Sequence, residues 1–284
     1  MSAAMSSPQL PQAADFAAAI APELKPLAMA PGRNEWLRRG LLDRVQRSAL
    51  AHRAFTTVRR EDAAWTQTSP QLRQCALSAA GGMRVDLLKL APGASIAWPL
   101  QVQAQEILVV EGTLAVSAAG SPPIELAALN HRVLGRAAGW RQTAGSMGAS
   151  LYVRSRSVDL DRLSDAEAQW WQAAQNASRA AAPPACHWFK HLQGVEVAVL
   201  QAHGGVASML VRIAPGAVVP DHGHSLDEDC FMLDGDMFLG DILMRAGDYQ
   251  LAPTGCQHVG IASDSGGLFY VHGAALPTAS GLAR

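Results

Sequence analysis

Residues 216–235 read Gly216-Ala-Val-Val-Pro-Asp-His222-Gly-His224-Ser-Leu-Asp-Glu228-Asp-Cys230-Phe-Met-Leu-Asp-Gly235, and residues 247–258 read Gly247-Asp-Tyr-Gln-Leu-Ala-Pro253-Thr-Gly255-Cys256-Gln-His258. Alternate side chains of a strand share a face, so His222 and His224 point the same way. The run from Glu228 to Asp234 reads as the next strand, opened by Glu228. His258 follows a Pro-x-Gly turn that closes a hairpin and returns its ring to the other three. Three neutral imidazoles and one carboxylate suit a divalent first-row metal, with one or two coordination positions left free. The expected ligands are therefore His222, His224, Glu228 and His258. Cys230, Cys256 and His272 are candidates for groups placed just behind them. Met209, Phe231, Met232, Leu251 and Tyr270 flank the ligands and are expected to line an apolar pocket.

Composition narrows the class. The chain has 284 residues, 49% of them hydrophobic and 17% charged, which suits a globular protein with room for two cores. A formal charge of −1 implies no basic face, and nucleic acid is not an expected partner. Cys75, Cys186, Cys230 and Cys256 show no paired spacing, so neither a disulfide framework nor a zinc finger is expected. No apolar run approaches a membrane span, and Met-Ser-Ala-Ala-Met lacks the basic start of a signal peptide. The expected location is the cytoplasm.

The chain also repeats itself. A shift of 123 positions lays Trp65 on Trp188, Leu77 on Leu200, and Ala91-Pro92-Gly93 on Ala214-Pro215-Gly216, without a gap through Gly112 on Gly235. After a wider turn at 118–123 the match resumes with Tyr152 on Tyr270. A period this long indicates a duplicated domain and not a solenoid. In that register Pro99, Gln101, Gln105 and Arg141 stand where the second copy has His222, His224, Glu228 and His258. Pro offers no donor and Arg stays protonated, so the first copy is expected to hold no metal. Asn130 stands where Gly247 is, as suits a left-handed turn. Both copies consist of short runs separated by Gly and Pro, which fits antiparallel jelly rolls. Two helices are expected besides. One runs from Asn34 to about His52 with Leu37, Leu41, Val45 and Ala49 on one stripe. The other is capped by Ser164-x-x-Glu167, carries Trp170 and Trp171, and ends before Pro183-Pro184.

The two quoted blocks resemble the signatures of the cupin superfamily, Gly-x5-His-x-His-x3/4-Glu-x6-Gly and Gly-x5-Pro-x-Gly-x2-His-x3-Asn, with Ala262 in place of the final Asn. Within it, Leu-Val-Arg-Ile-Ala-Pro-Gly before the His-x-His and Leu-Ala-Pro-x-Gly-x-x-His at 251–258 are similar to the cupin domain of ChrR-type anti-sigma factors. That resemblance implies an all-β fold of two tandem cupin jelly-roll barrels with an N-terminal helix and a linker helix. The expected boundaries are a tail at 1–33, helix and degenerate barrel at 34–156, linker helix at 157–186, metal-binding barrel at 187–277, and a tail at 278–284. It implies one divalent metal per chain, zinc first and iron, manganese or nickel as alternatives. It also implies a regulatory or sensory module that responds to an oxidant or small ligand, with a sigma factor as partner. The His-x3-Cys-x-x-Cys site of that family's sigma-binding half is absent near the start. The alternative is a mononuclear metal-dependent cupin dioxygenase acting on a small organic substrate. A homodimer paired through the N-terminal segment is expected in either case.

Overall fold

The computed structural model describes residues 32–80, 83–97, 102–118, 120–135, 139–157, 164–177 and 187–275. The expected tails, apart from Gly32 and Arg33, lie outside these residues, as do Pro99, Gln101 and Cys186. The chain divides into two compact units, Met1–Arg47 and Ser48–Arg284. Helix α1 (Arg33–Ala54) fills most of the described part of the first and its last turns belong to the second. Its expected stripe makes no buried face: Leu41 and Val45 are each 63% exposed, and Trp36, Leu42 and Leu50 are exposed as well. These apolar residues ring the helix and do not gather on one side. Among the described residues no helix is long and apolar enough to cross a membrane.

The second unit holds two antiparallel barrels. Strand β1 (Thr56–Val58) precedes the first. That barrel comprises β2 (Trp65–Ser69), β3 (Leu72–Ala80), β4 (Met83–Leu90), β5 (Ser95–Ala97), β6 (Val102–Ser117), β7 (Ile124–Ala127), β8 (His131–Gly135) and β9 (Arg141–Ser157). Helix α2 (Asp165–Ala177) connects it to the second barrel. There follow β10 (Trp188–Leu192), β11 (Val195–His203), β12 (Val206–Ile213), β13 (Val218–Val219), β14 (His222–Gly223) and β15 (Glu228–Leu239). The barrel ends with β16 (Ile242–Arg245), β17 (Tyr249–Ala252), β18 (Gln257–His258), β19 (Ile261–Ala262) and β20 (Gly267–Ala274). The main paths are β2-β3-β4-β9-β6-β7 in the first barrel and β17-β15-β20-β12-β11-β10 in the second. This is the all-β, two-barrel jelly-roll architecture expected from the sequence.

The duplication extends to irregularities. The β3/β4 ladder slips between Ala76 and Ser78, and the β11/β12 ladder slips between Val199 and Gln201, 123 positions later. Gly112 and Gly235 both have positive φ, 76° and 71°. A Cβ on either would meet a carbonyl oxygen at 2.1 or 2.0 Å, that of Gly148 or Gly266. Two sequence alignments need correction. The residue equivalent to Gly247 is Leu129, with φ 66°, and not Asn130. Leu129 N donates to Val109 O at 2.8 Å just as Gly247 N donates to Met232 O at 2.8 Å. Asn130 instead matches Asp248, each accepting a backbone N–H three residues earlier in the turn. One strand departs from the expected partition: β1, placed with the first repeat by sequence, pairs with β17, Thr56 opposite Leu251. Asp248 anchors it, accepting from Arg60 N at 2.8 Å and Arg59 Nη1 at 2.9 Å.

The barrels meet back to back. Tyr152 and Leu108 of the first pack with Phe231, Tyr249 and Tyr270 of the second. Beside this apolar layer lies a buried ionic network. Glu106 accepts from Arg154 Nη1, His131 Nε2 and Tyr270 OH, each at 2.7 Å, and from Ser208 Oγ. Arg154 Nε also donates to Asp229 at 2.9 Å, and Tyr249 OH donates to the same carboxylate. Burial alone would raise the Glu106 carboxyl, but Arg154, His131 and His272 hold it well below the usual carboxylate range. Helix α2 seals one side, its fully buried Trp170 and Trp171 packing on Ala104, Val133 and Val206. Ser164 Oγ caps the helix by accepting from Glu167 N at 3.2 Å. The Glu167 carboxylate binds His272 Nε2 at 2.8 Å, which is not the return bond expected of a capping box.

Candidate metal centre

Strands β14 and β18 form a two-stranded ladder that sets His222 opposite His258. His224 N donates to Cys256 O at 3.0 Å, and Gly255 N returns to His224 O at 2.9 Å. Gly255 takes a positive φ of 86°, which the Pro253-Thr254-Gly255 turn requires. Asp227 accepts from Thr254 N at 2.8 Å and Thr254 Oγ1 at 2.9 Å, tying that turn to the residue before Glu228. Glu228 begins β15, as its sequence position suggests.

The four expected ligands converge. His222, His224 and Glu228 each offer a donor atom, and these lie within 4.8 Å of one another. His224 Nδ1 is 3.4 Å from Glu228 Oε2, and His258 Nε2 is 3.9 Å from Glu228 Oε1. The His224 and His258 ring centroids are 4.5 Å apart. His222 Nδ1 lies 3.0 Å from Pro220 O. A carbonyl only accepts, so Nδ1 carries the proton and Nε2 keeps its lone pair. Burial, reinforced by His224 and His222 and opposed by Glu228, pushes the His258 imidazole down to about 4, so it is neutral at neutral pH. Among the described residues, His224 Nε2 and both His258 ring nitrogens are buried without a hydrogen-bond partner. Buried polar atoms are normally paired. One nitrogen from each of these rings, beside one carboxylate, is what a bound first-row divalent ion would satisfy, so the residues fit such an ion.

Below the cluster opens a cavity of about 500 Å³, reached by His222, His224, Glu228 and His258 themselves. Its wall includes Val197, Met209, Val211, Leu239, Phe269 and Val271. Of the residues expected to line it, Met209 does; Phe231, Met232, Leu251 and Tyr270 do not. Phe231 and Tyr270 lie in the layer between the barrels. The side chains of β12, β15 and β20 alternate, so 209, 211, 228, 230, 269 and 271 face the cavity while 208, 210, 229, 231, 270 and 272 face the first barrel.

The same parity sorts the other candidates. Cys230 lines the cavity, where burial, with Glu228 and Asp229, pushes its thiol well up. It is thus a protonated wall residue and not an activated thiolate. Cys256 turns elsewhere, its Sγ 3.7 Å from Ala54 O. His272 lies on the opposite strand face, buried between Ser208 Oγ at 2.8 Å and Glu167. It belongs to the inter-barrel network and lies behind the strand, neither beside the ligands nor facing solvent. Phe55, which sequence reasoning missed, packs against His258 with ring centroids 5.1 Å apart and the planes tilted by 38°. Its position just before β1 was the available signal, legible only once β1 is seen to join this barrel.

In the first barrel Gln105 occupies the Glu228 position and is buried. Arg141 is exposed and pairs opposite Ala97, one step from Ile96–Gln142, the equivalent of Val219–Ile261. It therefore matches Gly260 and not His258, the second barrel being a residue longer before this strand. The inward residue is Gln142, whose Nε2 donates to Gln105 Oε1 at 2.8 Å, while Gln105 Nε2 donates to Ser155 Oγ at 3.3 Å. Ile107, Val109, Leu114 and Leu151 pack the surrounding interior.

Comparison with known proteins bears on the fold. The ChrR cupin-like domain family matches residues 176–276. No curated protein matches the chain by sequence. Among solved structures, a point variant of oxalate decarboxylase OxdC from Bacillus subtilis is similar at 13% identity and a TM-score of 0.56, covering 77% of each chain. A deletion variant of that enzyme is similar at 14% identity and a TM-score of 0.55, covering 77% of this chain and 76% of its own. Work on that decarboxylase describes its Mn(II) centres. At such identity the likeness shows the fold alone. Residues 176–276 thus match a ChrR cupin-like domain, set within a chain that has the two-barrel cupin fold.

Proposed function

We propose that the second barrel binds one divalent first-row metal through His222, His224, Glu228 and His258, and that this centre engages a small organic molecule seated in the cavity. The observation that carries this reading is the opening of the donor cluster directly onto that cavity. A metal site with a purely structural task has no need of such a space. A divalent ion would supply a Lewis-acidic position for an oxygen-bearing ligand head. The chain's own groups prepare that position. Pro220 O fixes the His222 tautomer, Glu228 gives the one anionic donor, and the apolar wall excludes water.

The ChrR domain match favours a sensory or regulatory use, in which ligand binding changes how the protein meets a partner; a sigma factor is the partner the resemblance implies. A homodimer is part of the same proposal. The cavity equally suits the second reading, a metal-dependent oxygenase.

Elemental analysis of native-purified full-length protein tests the proposal and separates the two uses. One metal per chain is expected. Zinc, which does not change oxidation state, supports the sensory use; iron, manganese or nickel supports oxygen chemistry. Two metals per chain would overturn the blank first barrel, and none after metal repletion would overturn the centre itself.

A further inference from the structure

Resting on that metal reading, the cavity's charge and lining narrow the ligand class. Its wall comes from strands on three sides of the barrel: Val197, Met209, Val211, Leu239, Phe269 and Val271. Among the described residues no Lys or Arg lines it; its acidic groups are Glu228 and Asp221, and besides the three cluster histidines it has one further imidazole, His191. Asp221 is exposed and already accepts from Gly260 N at 2.8 Å. A divalent ion held by neutral imidazoles and the Glu228 carboxylate carries one net positive charge. One monoanionic oxygen head would neutralise it. A long dicarboxylate would leave one negative charge in excess, with no described Lys or Arg side chain on the cavity to offset it. Its second carboxylate, beyond reach of the ion, would have to lie against this hydrocarbon wall, which is strongly unfavourable. About 500 Å³ is within the range that encloses a compact organic molecule.

We propose that the second barrel takes an apolar monoanion, a medium-chain or aromatic monocarboxylate or its enolate counterpart, with the charged oxygen at the His/Glu cluster and the hydrocarbon body on the Val197–Val211–Phe269 wall. Dicarboxylates too long to chelate one ion are rejected.

Titration calorimetry on the full chain, metal-loaded and chelator-stripped, with decanoate and decanedioate as probes, tests this. Decanoate is expected to bind the loaded protein at least about 100-fold more tightly than decanedioate. Val211→Phe and Val197→Phe fill the cavity without adding charge. Each is expected to weaken decanoate by about tenfold or more while metal content stays at the wild-type level. Using two positions guards against one variant misfolding, and far-ultraviolet circular dichroism checks both. Decanedioate binding as tightly as decanoate, or decanoate binding untouched by both fillings, would overturn the ligand class. Decanoate binding equally to stripped and loaded protein would uphold the apolar seat and overturn the metal as anchor of its head.

Discussion

At the scale of single residues, the centre was legible because its geometry is local. Two histidines one residue apart share a strand face, and a Pro-x-Gly turn closes the ladder that sets His258 opposite His222. His224→Ala removes a buried donor from the middle of this set and is expected to abolish stoichiometric metal binding, as read by elemental analysis against the wild type. The thiols give a second prediction. Cys230 and Cys75 are buried and Cys256 is partly accessible, so in the native protein a thiol-specific reagent should modify Cys256 well before the other two, as peptide mapping of a time course would show. Equal rates would contradict the placement of Cys230 in the wall. The cavity lining was not legible. Met209 and Leu210, or Tyr270 and Val271, are apolar in turn because both faces of these strands are covered, one by the cavity and one by the first barrel. Alternation carries no information about which face is which when both are buried.

At the scale of elements, the duplicated turns matter most. Gly235 combines φ 71° with a missing Cβ that would lie 2.0 Å from Gly266 O. Gly235→Ala should therefore destabilise the protein by roughly 2 kcal/mol or more, since the backbone conformation and the contact are both unfavourable to a side chain. Gly112→Ala, its counterpart at φ 76°, should behave alike. Urea unfolding of both variants checks this, and a mild effect at either would contradict the equivalence. These glycines were visible in the repeat, as was the cap of α2. The destination of β1 was not. Thr56–Val58 lies next to the first repeat in sequence, yet strand pairing depends on which edge is open, and that edge was β17 of the second barrel.

At the scale of the whole molecule, the two barrels share a buried charge cluster in which Arg154 of one bridges Glu106 of its own barrel and Asp229 of the other. Arg154→Met leaves two buried carboxylates without their cation and should cost about 3–5 kcal/mol in urea unfolding. The cluster also sets an acid limit. Glu106 has a folded value lowered below its ordinary 4.5, so its contribution is complete above that pH and is lost as pH falls through the folded value. Wild-type stability should decline on acidification below about 4.5, and Glu106→Gln should flatten that decline while lowering stability at neutral pH. A variant with the wild-type acid slope would sink the assignment. Asp229 adjoins the candidate ligand Glu228 on one strand, so the first barrel grips the strand that carries the centre from its opposite face.

By itself the sequence determined the barrel class, the duplication, and the convergence of His222, His224, Glu228 and His258. Each of these follows from spacing within a turn or a ladder, where a few residues dictate their own geometry. Tertiary structure alone decided that the cavity is walled by Met209 and Val211, that His272 faces away from the ligands, and that Phe55 covers His258. Those depend on which buried face meets which neighbour, a choice made by packing between elements distant in the chain and therefore absent from any local pattern.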